Sequence, residues 1–125
     1  MILGVGVDIV HLPRIAALIS RRGSDKLAKR ILSPTEYIEF RAKYDINNDP
    51  SQILTSSFCR WCMKEAVYKA LYPIHKLEWK QVSITKQAGK PHLFILNSSL
   101  YGIQKTHVSL SHDGDYAIAQ VILEG

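Results

Sequence analysis

The sequence predicts an α+β domain in which a mainly antiparallel sheet packs against helices, one of them long and central. Three observations favour this class. A β-branched, glycine-containing segment opens the chain at residues 2–10 and is too short for an isolated helix. A helical pattern extends over residues 51–71. Two segments of alternating apolar and polar residues close the chain, joined across Asp113-Gly114, a dipeptide typical of hairpin turns.

Two short helices are predicted after the opening strand. Pro13 suits the first turn of a helix, because the N–H that proline lacks has no intrahelical partner there. This helix is expected to end near Gly23, since glycine commonly terminates helices. Residues 25–32, with the sequence DKLAKRIL, predict the second helix.

A third helix is predicted from a capping box. Ser33 has the hydroxyl of an N-cap, Pro34 occupies the first helical position, and Glu36 lies three residues after the cap. The helix is expected to extend to about Ala42. Residues 44–52, YDINNDPSQ, contain two Asn, two Asp and a Pro, and they predict a loop before the long central helix.

The second half of the chain predicts most of the sheet. The long helix is expected to end before Pro73, which cannot continue it. Residues 88–91, AGKP, form a turn between two strands, and a short helix is expected from about Ser98. The predicted strands cover residues 79–87, 92–96, 107–112 and 115–123. The sequence shows no repeat, low-complexity tract or interdomain linker, so residues 1–125 are expected to form one domain.

Charge and composition narrow the function classes. The chain has 125 residues, a formal net charge of +5 and a pI near 9.3, which favours a negatively charged partner: nucleic acid, an acidic protein or a phosphorylated small molecule. Cys59 and Cys62 lie within a helical pattern, which argues against a disulfide scaffold and for a reducing compartment. No apolar run approaches the ~20 residues of a membrane helix, and the amino terminus does not resemble a signal peptide.

Asp8 is unusual because it places a charge in the middle of an apolar strand. Strand alternation puts Gly4, Gly6 and Asp8 on one face and the β-branched residues between them on the other. Two residues without side chains beside a carboxylate leave room for a ligand to approach. A buried carboxylate needs a cation or hydrogen-bond donors, so Asp8 is either a metal ligand or a structural residue that accepts backbone hydrogen bonds.

Glu65 and Lys69 are one helical turn apart in the predicted central helix. One interpretation is a surface ion pair, which stabilises a helix by only about 0.2–0.5 kcal/mol. The alternative is that Glu65 and Asp8 together bind Mg²⁺, which prefers oxygen ligands and retains waters while also binding substrate phosphates. In that arrangement Lys69 would reach a phosphate oxygen. The residues alone leave both interpretations open.

Four segments in this order and spacing, GVGVDIVHLPRI, RWCMKEAVYKAL, GKP and HVSLSH, resemble the signature segments of the single-domain holo-acyl-carrier-protein synthases. The resemblance extends from residue 2 to about residue 122. It implies the 4′-phosphopantetheinyl transferase-like fold. It also implies an enzyme of fatty acid biosynthesis that moves 4′-phosphopantetheine from coenzyme A to a serine of apo acyl carrier protein. In this reaction 3′,5′-ADP is released and Mg²⁺ is the cofactor.

The resemblance also implies roles for particular residues. Asp8 and Glu65 correspond to the family's magnesium-binding carboxylates, and Lys69 to the lysine that contacts coenzyme A phosphate. Further coenzyme A contacts are implied for Arg60, Lys64, Gly89, Lys90, Pro91 and His107. The carrier serine attacks the β-phosphorus while Glu65, directly or through a metal-bound water, acts as general base. His107 is the alternative base or a phosphate donor, so the implied catalytic set is Asp8, Glu65, Lys69 and His107.

A basic segment follows the opening strand. Arg14 corresponds to a family residue on the helix that receives the carrier protein, and Arg14 and Arg21, seven residues apart, share a helix face. Acyl carrier proteins are acidic. The predicted carrier-docking residues are therefore Arg14, Arg21, Arg22 and Lys26. The alternative is a basic face that contacts only solvent.

Single-domain members of the family assemble as trimers with an active site at each subunit interface, so the resemblance implies a homotrimer. It implies neither a nucleic-acid nor a membrane partner, and it implies a location in the cytoplasm or, in a eukaryote, the mitochondrial matrix.

The sequence departs from the family at residues 71–79, LYPIHKLEW, where members have a glycine-rich turn. It also departs at Cys62 and Met63, where members often have alanines.

Two other function classes remain open from the residues. The positive charge and the aromatic residues are compatible with a nucleic-acid-binding module, whose binding would depend steeply on salt. Another Mg²⁺-dependent phosphoryl enzyme, such as a nucleotide hydrolase, is disfavoured because the sequence has no GxxxxGK[ST] motif.

The Cys59–Cys62 pair lacks the second ligand pair of a structural zinc site and is expected to face the core. Trp61 and Trp79 are expected to pack.

Overall fold

The computed structural model describes residues 1–46 and 50–125 of the chain. It confirms the predicted α+β class, with helices packed on antiparallel sheet. The strands are β1 (Ile2–His11), β2 (Val82–Gln87), β3 (Lys90–Ile95), β4 (Lys105–Asp113) and β5 (Tyr116–Glu124). The α-helices are α1 (Leu12–Arg22), α2 (Ser24–Ile31), α3 (Pro34–Ile46) and α4 (Pro50–Leu71). Strands β1, β5 and β4 form one sheet in that order, and β2 and β3 form a second.

Alternation along β1 separates a core face from a solvent face. β1 pairs antiparallel with β5, and Asp8 lies opposite Ala119, which is buried. The side chains of Val5, Val7 and Ile9 point the other way and are 53%, 50% and 63% exposed. The predicted alternation of the strand is therefore confirmed, and the sheet presents an apolar face to solvent.

The glycines of β1 allow the long helix α4 to lie directly against the strand. A Cβ atom at Gly4 would collide with the carbonyl oxygen of Ala70, and one at Gly6 would collide with that of Ala66. Backbones approach this closely only where side chains are absent. This corrects the interpretation that Gly4 and Gly6 leave room for a ligand, because α4 itself occupies the space above them.

Helix α4 contributes to the main apolar core. Cys62 and Val67 are fully buried there and belong to the same cluster as Val82 of β2 and Val121 of β5, so one core joins the helix to both sheets. Cys59 is half-buried at the edge of this core, and both cysteines are free thiols, as predicted. A smaller apolar cluster joins α2 to α3 and consists of Leu27, Ala28, Ile31, Leu32 and Phe40.

The predicted capping box and the predicted end of the first helix are confirmed. The backbone N–H of Ser33 donates to Glu36 Oε1 at 3.0 Å, and the backbone N–H of Glu36 donates to Ser33 Oγ at 3.3 Å. This reciprocal pair is the predicted capping box. Helix α1 ends before Gly23, whose φ of 85° is a conformation that favours glycine.

The predicted loop at residues 44–52 is wrong at both ends. Helix α3 continues to Ile46, and α4 begins at Pro50, while residues 47–49 lie outside the described residues. The sequence has no Gly or Pro between the start of the predicted loop and Ile46, so nothing there stops the helix. Proline is accommodated at the first helical position, so Pro50 begins a helix instead of ending a loop.

The predicted strand at residues 79–87 begins only at Val82. The preceding residues Trp79–Gln81 form a 3₁₀ turn that is closed by a capping box. In that box the backbone N–H of Glu78 donates to the side-chain Oε1 of Gln81 at 2.9 Å. Local side-chain bonding therefore competes successfully with extension of the strand at this point.

The remaining turns agree with the predictions. Ala88 and Gly89 join β2 to β3 with φ values of 52° and 78°, and Gly114 lies between β4 and β5 with a φ of 56°. The predicted short helix is a 3₁₀ turn at Ser98–Tyr101. Within the described parts of the chain, no helix is both long and apolar enough to cross a membrane.

Candidate active site

A cleft of about 280 Å³ brings the two predicted metal-binding carboxylates together. Asp8 reaches the cleft from β1 and Glu65 from α4, while Arg14 and Arg21 line it from α1. The two arginines are seven residues apart, or two helical turns, which places both on one face of α1. The cleft therefore combines two carboxylates with two guanidinium groups, an arrangement that suits a divalent cation together with an anionic ligand.

Asp8 is paired with a lysine of α4. Lys69 Nζ donates to Asp8 Oδ1 at 2.9 Å and to the backbone oxygen of Val7 at 3.3 Å. The hydrogen bond to Asp8 raises the pKa of Lys69, burial opposes the shift, and the negative charges of Asp8 and Glu65 add to it. Lys69 therefore carries its positive charge at neutral pH beside both carboxylates.

Glu65 is held by an indole. Trp79 Nε1 donates to Glu65 Oε1 at 2.6 Å. Glu65 also borders a second cleft of about 420 Å³. The other residues that line this second cleft are Arg30, Tyr68, Leu77, Glu78, Trp79 and Lys80. Glu65 thus stands between two clefts, one shared with Asp8 and one shared with Trp79.

The residues of the first cleft fit a magnesium ion. Within the described residues, no group of three or more His, Cys, Asp or Glu side chains is placed to hold a metal. A metal in the cleft would therefore be held by Asp8 and Glu65 alone. Mg²⁺ is compatible with two protein carboxylates, because it retains waters and takes phosphate oxygens from a substrate. Zinc, which takes at least about three protein ligands, does not fit.

Arg60 and Lys64 contact a buried carboxylate and line neither cleft. Glu36 is buried and accepts hydrogen bonds from Lys64 Nζ and, at 3.1 Å, from the backbone N–H of Ile84. Arg60 lies 3.6 Å from the same carboxylate and 3.4 Å from that of Glu39. Burial lowers the pKa of Lys64, and the charge of Glu36 opposes the shift. Both residues thus join α4 to α3, and their contact with coenzyme A stays a prediction.

His107 lies on the opposite face of the sheet from Asp8. It stands on β4 across from Ile122 of β5, which pairs in turn with Val5 on the solvent face of β1. His107 Nε2 is 2.7 Å from Glu124 Oε2, and the hydrogen bond to His107 lowers the pKa of Glu124. A single chain therefore does not bring His107 together with Asp8.

The other predicted site residues lie at the surface, outside both clefts. Gly89, Lys90 and Pro91 belong to the turn between β2 and β3 and to the first residues of β3, and their contact with coenzyme A stays a prediction. Arg22 and Lys26 are exposed on α1 and α2. The predicted basic surface is therefore made up of two arginines that line the first cleft and two exposed residues outside it.

Three aromatic residues without a predicted site role line the clefts. His11 and Trp61 border the first cleft, and the ring of His11 lies 5.1 Å from that of Tyr116. Trp79 packs edge to face on Trp61 at 6.0 Å, as expected of a packing residue, but it also donates to Glu65. The one signal for this contact in the sequence is general: a buried tryptophan usually finds a partner for its N–H.

The family comparison covers most of the chain. The model of the 4′-phosphopantetheinyl transferase superfamily matches residues 4–121. Over 132 aligned positions the chain is 37% identical to a holo-[acyl-carrier-protein] synthase of Hamiltonella defensa, with 99% of this chain and 98% of that protein covered. It is 39% identical over 127 positions to a holo-[acyl-carrier-protein] synthase of an Exiguobacterium species, with 99% and 93% covered.

Solved structures show the same similarity. The holo-[acyl-carrier-protein] synthase of Neisseria meningitidis superposes with a TM-score of 0.79 at 30% identity, with 100% of both chains covered. That of Helicobacter pylori, in complex with coenzyme A, superposes with a TM-score of 0.74 at 27% identity, with 96% of this chain and 99% of that chain covered.

Proposed function

The chain belongs to the 4′-phosphopantetheinyl transferase superfamily, and from that premise we propose that it transfers 4′-phosphopantetheine from coenzyme A to a serine of an apo acyl carrier protein. The observation that carries the proposal is the cleft in which Asp8 and Glu65 lie together with Arg14 and Arg21. The similarity to holo-[acyl-carrier-protein] synthases over their whole length supports these two substrates.

The side chains of the first cleft have complementary roles in the proposed transfer. Asp8 and Glu65 would hold Mg²⁺, which supplies positive charge beside the diphosphate of coenzyme A when it is bound. Lys69, half-exposed and bonded to Asp8, can exchange a carboxylate oxygen for a phosphate oxygen. The serine oxygen bonds to the β-phosphorus, the bond from that phosphorus to 3′,5′-ADP breaks, and the serine proton passes to Glu65. His107 is the alternative proton acceptor.

A homotrimer with interfacial sites forms part of the proposal. The solvent face of β1 and β5 carries the exposed side chains of Val5, Val7, Ile9, Tyr116 and Ile118. A contiguous apolar face of this kind favours a protein interface. His107 lies on the same face, away from Asp8. A second copy packed on this face would allow His107 of one chain to serve the cleft of another.

Mixed assembly of inactive variants tests this interface. We expect Asp8→Asn and His107→Ala to transfer slowly when each is assayed alone. Reassembled together, they should recover activity, because some interfaces then combine an intact Asp8 with an intact His107. Light scattering reports the stoichiometry. The proposal that His107 completes an interfacial site would be contradicted if the wild type were monomeric. It would also be contradicted if mixed trimers formed but recovered no activity.

A mass measurement on the carrier tests the transfer itself. The chain is incubated with coenzyme A, Mg²⁺ and an apo acyl carrier protein that the Neisseria meningitidis enzyme modifies under the same conditions. We expect the carrier to gain the mass of one phosphopantetheine group, and to gain nothing without Mg²⁺. Steeply salt-dependent binding to nucleic acid without a mass gain would favour the binding module. Hydrolysis of nucleotides without a mass gain would favour a hydrolase.

A further inference from the structure

We propose that Trp79 is a positioning residue for Glu65. Its indole N–H holds one carboxylate oxygen of Glu65, so that the other oxygen is presented to the cation and to the proton of the reaction. The inference rests on the proposed function and adds a residue outside the four segments that carry the family resemblance. Trp79 lies in residues 71–79, where the sequence departs from the family.

The geometry of the hydrogen bond supports this role. The distance between Trp79 Nε1 and Glu65 Oε1 is 2.6 Å, at the short end for an N–H donor, which indicates a close and direct hydrogen bond. Trp79 borders the second cleft and Asp8 borders the first, while Glu65 borders both. The indole therefore holds Glu65 from the side of the second cleft, and the side that Glu65 shares with Asp8 stays available.

Trp79 is itself held by three contacts, one to its backbone and two to its ring. The buried ammonium of Lys64 donates to the backbone oxygen of Trp79 at 3.0 Å. The guanidinium of Arg30 lies 5.8 Å from the centroid of the Trp79 ring, and Trp61 meets that ring edge to face at 6.0 Å. A donor held in this way limits the rotation of Glu65. Partners of this kind, one shell behind a metal ligand, orient the ligand and adjust its basicity.

Replacement of Trp79 by phenylalanine tests the inference, because an aromatic ring stays and the N–H donor is lost. For Trp79→Phe we expect kcat for the transfer to fall about 10- to 100-fold. The KM for coenzyme A should change by less than about twofold, because the lost interaction acts on the reacting group and not on uniform binding. The matched control is Trp61→Phe, the same change at the only other tryptophan, for which a smaller fall in kcat is expected.

The outcomes of this experiment separate the inference from the proposed function. The positioning role would be overturned if kcat fell equally in the two variants. It would also be overturned if the wild type were active and Trp79→Phe were equally active. A wild-type chain that modifies no carrier would overturn the proposed function instead.

Tryptophan fluorescence gives a second measurement. A purely structural role of Trp79 would not produce the expected change in emission, and the measurement does not require that Trp79→Phe folds. In Trp61→Phe, Trp79 is the single tryptophan. With coenzyme A present, titration with Mg²⁺ should alter its emission, because the cation binds the carboxylate to which the indole donates. The change should be lost in Trp61→Phe/Glu65→Gln. Unchanged emission in Trp61→Phe, or the same change in both proteins, would overturn the inference.

Discussion

Lys64 and Lys69 lie on the same helix, α4, and each is paired with a carboxylate, yet their surroundings are opposite. The side chains of Lys64 and Glu36 are 0% and 2% exposed, whereas those of Lys69 and Asp8 are 52% and 14% exposed. Burial lowers the pKa of Lys64, while the hydrogen bond to Asp8 raises the pKa of Lys69. Five residues of helix separate the two lysines, which turns them about 140° apart around the axis.

The difference indicates which pair can take part in a reaction. Removal of Glu36 would leave the buried charge of Lys64 without an opposite charge, so this pair is fixed. Lys69 is half-exposed, and water can compensate its charge while it changes partners. One helix therefore carries a structural pair that holds the interior together and an exposed pair that can respond to a ligand.

The largest expected effect is a loss of transfer activity when a carboxylate of the first cleft, beside the exposed Lys69, is neutralised. Asp8→Asn and Glu65→Gln keep the side-chain shapes and remove one negative charge each from the cleft. Each should lower kcat for the transfer about a thousandfold, because charge stabilisation by a held cation supplies several kcal/mol at the transition state. Thermal unfolding should show that both variants stay folded.

The matched control is Asp113→Asn, since Asn-Gly suits the hairpin turn as well as Asp-Gly does. It should transfer at the wild-type rate. If Asp8→Asn and Glu65→Gln both kept their activity, the two carboxylates would not hold a catalytic metal.

The buried side of the comparison predicts a loss of stability. Glu36→Gln removes the charge that compensates Lys64 and should lower the free energy of unfolding by about 3–5 kcal/mol. Glu39→Gln removes the exposed partner of Arg60 and should lower it by less than about 1 kcal/mol. Urea unfolding measures both. Similar small losses in the two variants would show that water reaches Glu36.

A smaller effect is expected where the basic surface meets the first cleft. Arg14→Glu should raise the KM for an acidic carrier protein about tenfold, because it replaces attraction with repulsion at the predicted docking surface. The KM for coenzyme A should stay close to that of the wild type. Lys86→Glu on β2 makes the same change in net charge elsewhere and is the control. Equal effects of Arg14→Glu on both substrates would count against carrier docking.

The smallest effect concerns the pH dependence of the exposed pair. The pKa of Lys69 is raised in the folded chain, so the pair stabilises the fold below the pKa of an unfolded lysine, about 10.4. That contribution is lost as the pH rises through the raised pKa. It should amount to less than about 1 kcal/mol, because Lys69 is half-exposed.

The measurement compares the free energy of unfolding of the wild type and of Lys69→Met between pH 8 and the alkaline limit of reversible unfolding. The difference between them should shrink as the pH rises. Lys26→Met, which removes an exposed ammonium on α2, should show no such convergence. A constant difference for Lys69→Met would mean that the ion pair contributes nothing to stability.

Local patterns in the sequence were sufficient for much of the fold. The alternation of β1 and the capping box of Ser33 and Glu36 involve residues within a few positions of each other, so the sequence contains the whole signal. The position of Asp8 and Glu65 in one cleft is different, because no local pattern links residues that far apart. The family resemblance predicts it, whereas the residues alone favour a surface pair of Glu65 and Lys69.

Tertiary contacts explain what the sequence did not predict. Glu36 was identified only as part of a cap, although its carboxylate also binds Lys64 and the backbone of β2. Gly4 and Gly6 were interpreted as space for a ligand, and the backbone of α4 fills that space. For Trp79 the sequence favours packing and gives no specific sign of its hydrogen bond to Glu65. In each case the partner comes from an element distant in sequence, and single-residue patterns carry no information about it.

Successive residues of strand β1 belong to two different surfaces of the protein. Asp8 borders the cleft, and the exposed side chains of Val5 and Val7 lie on the apolar side of the sheet. Since side chains alternate strictly along a strand, a shift of one residue in the register of β1 would send the carboxylate to the apolar side and one of its apolar neighbours into the cleft. Under the proposed function and assembly, transfer and self-association would then be lost together, so the length of β1 should matter as much as the identity of Asp8.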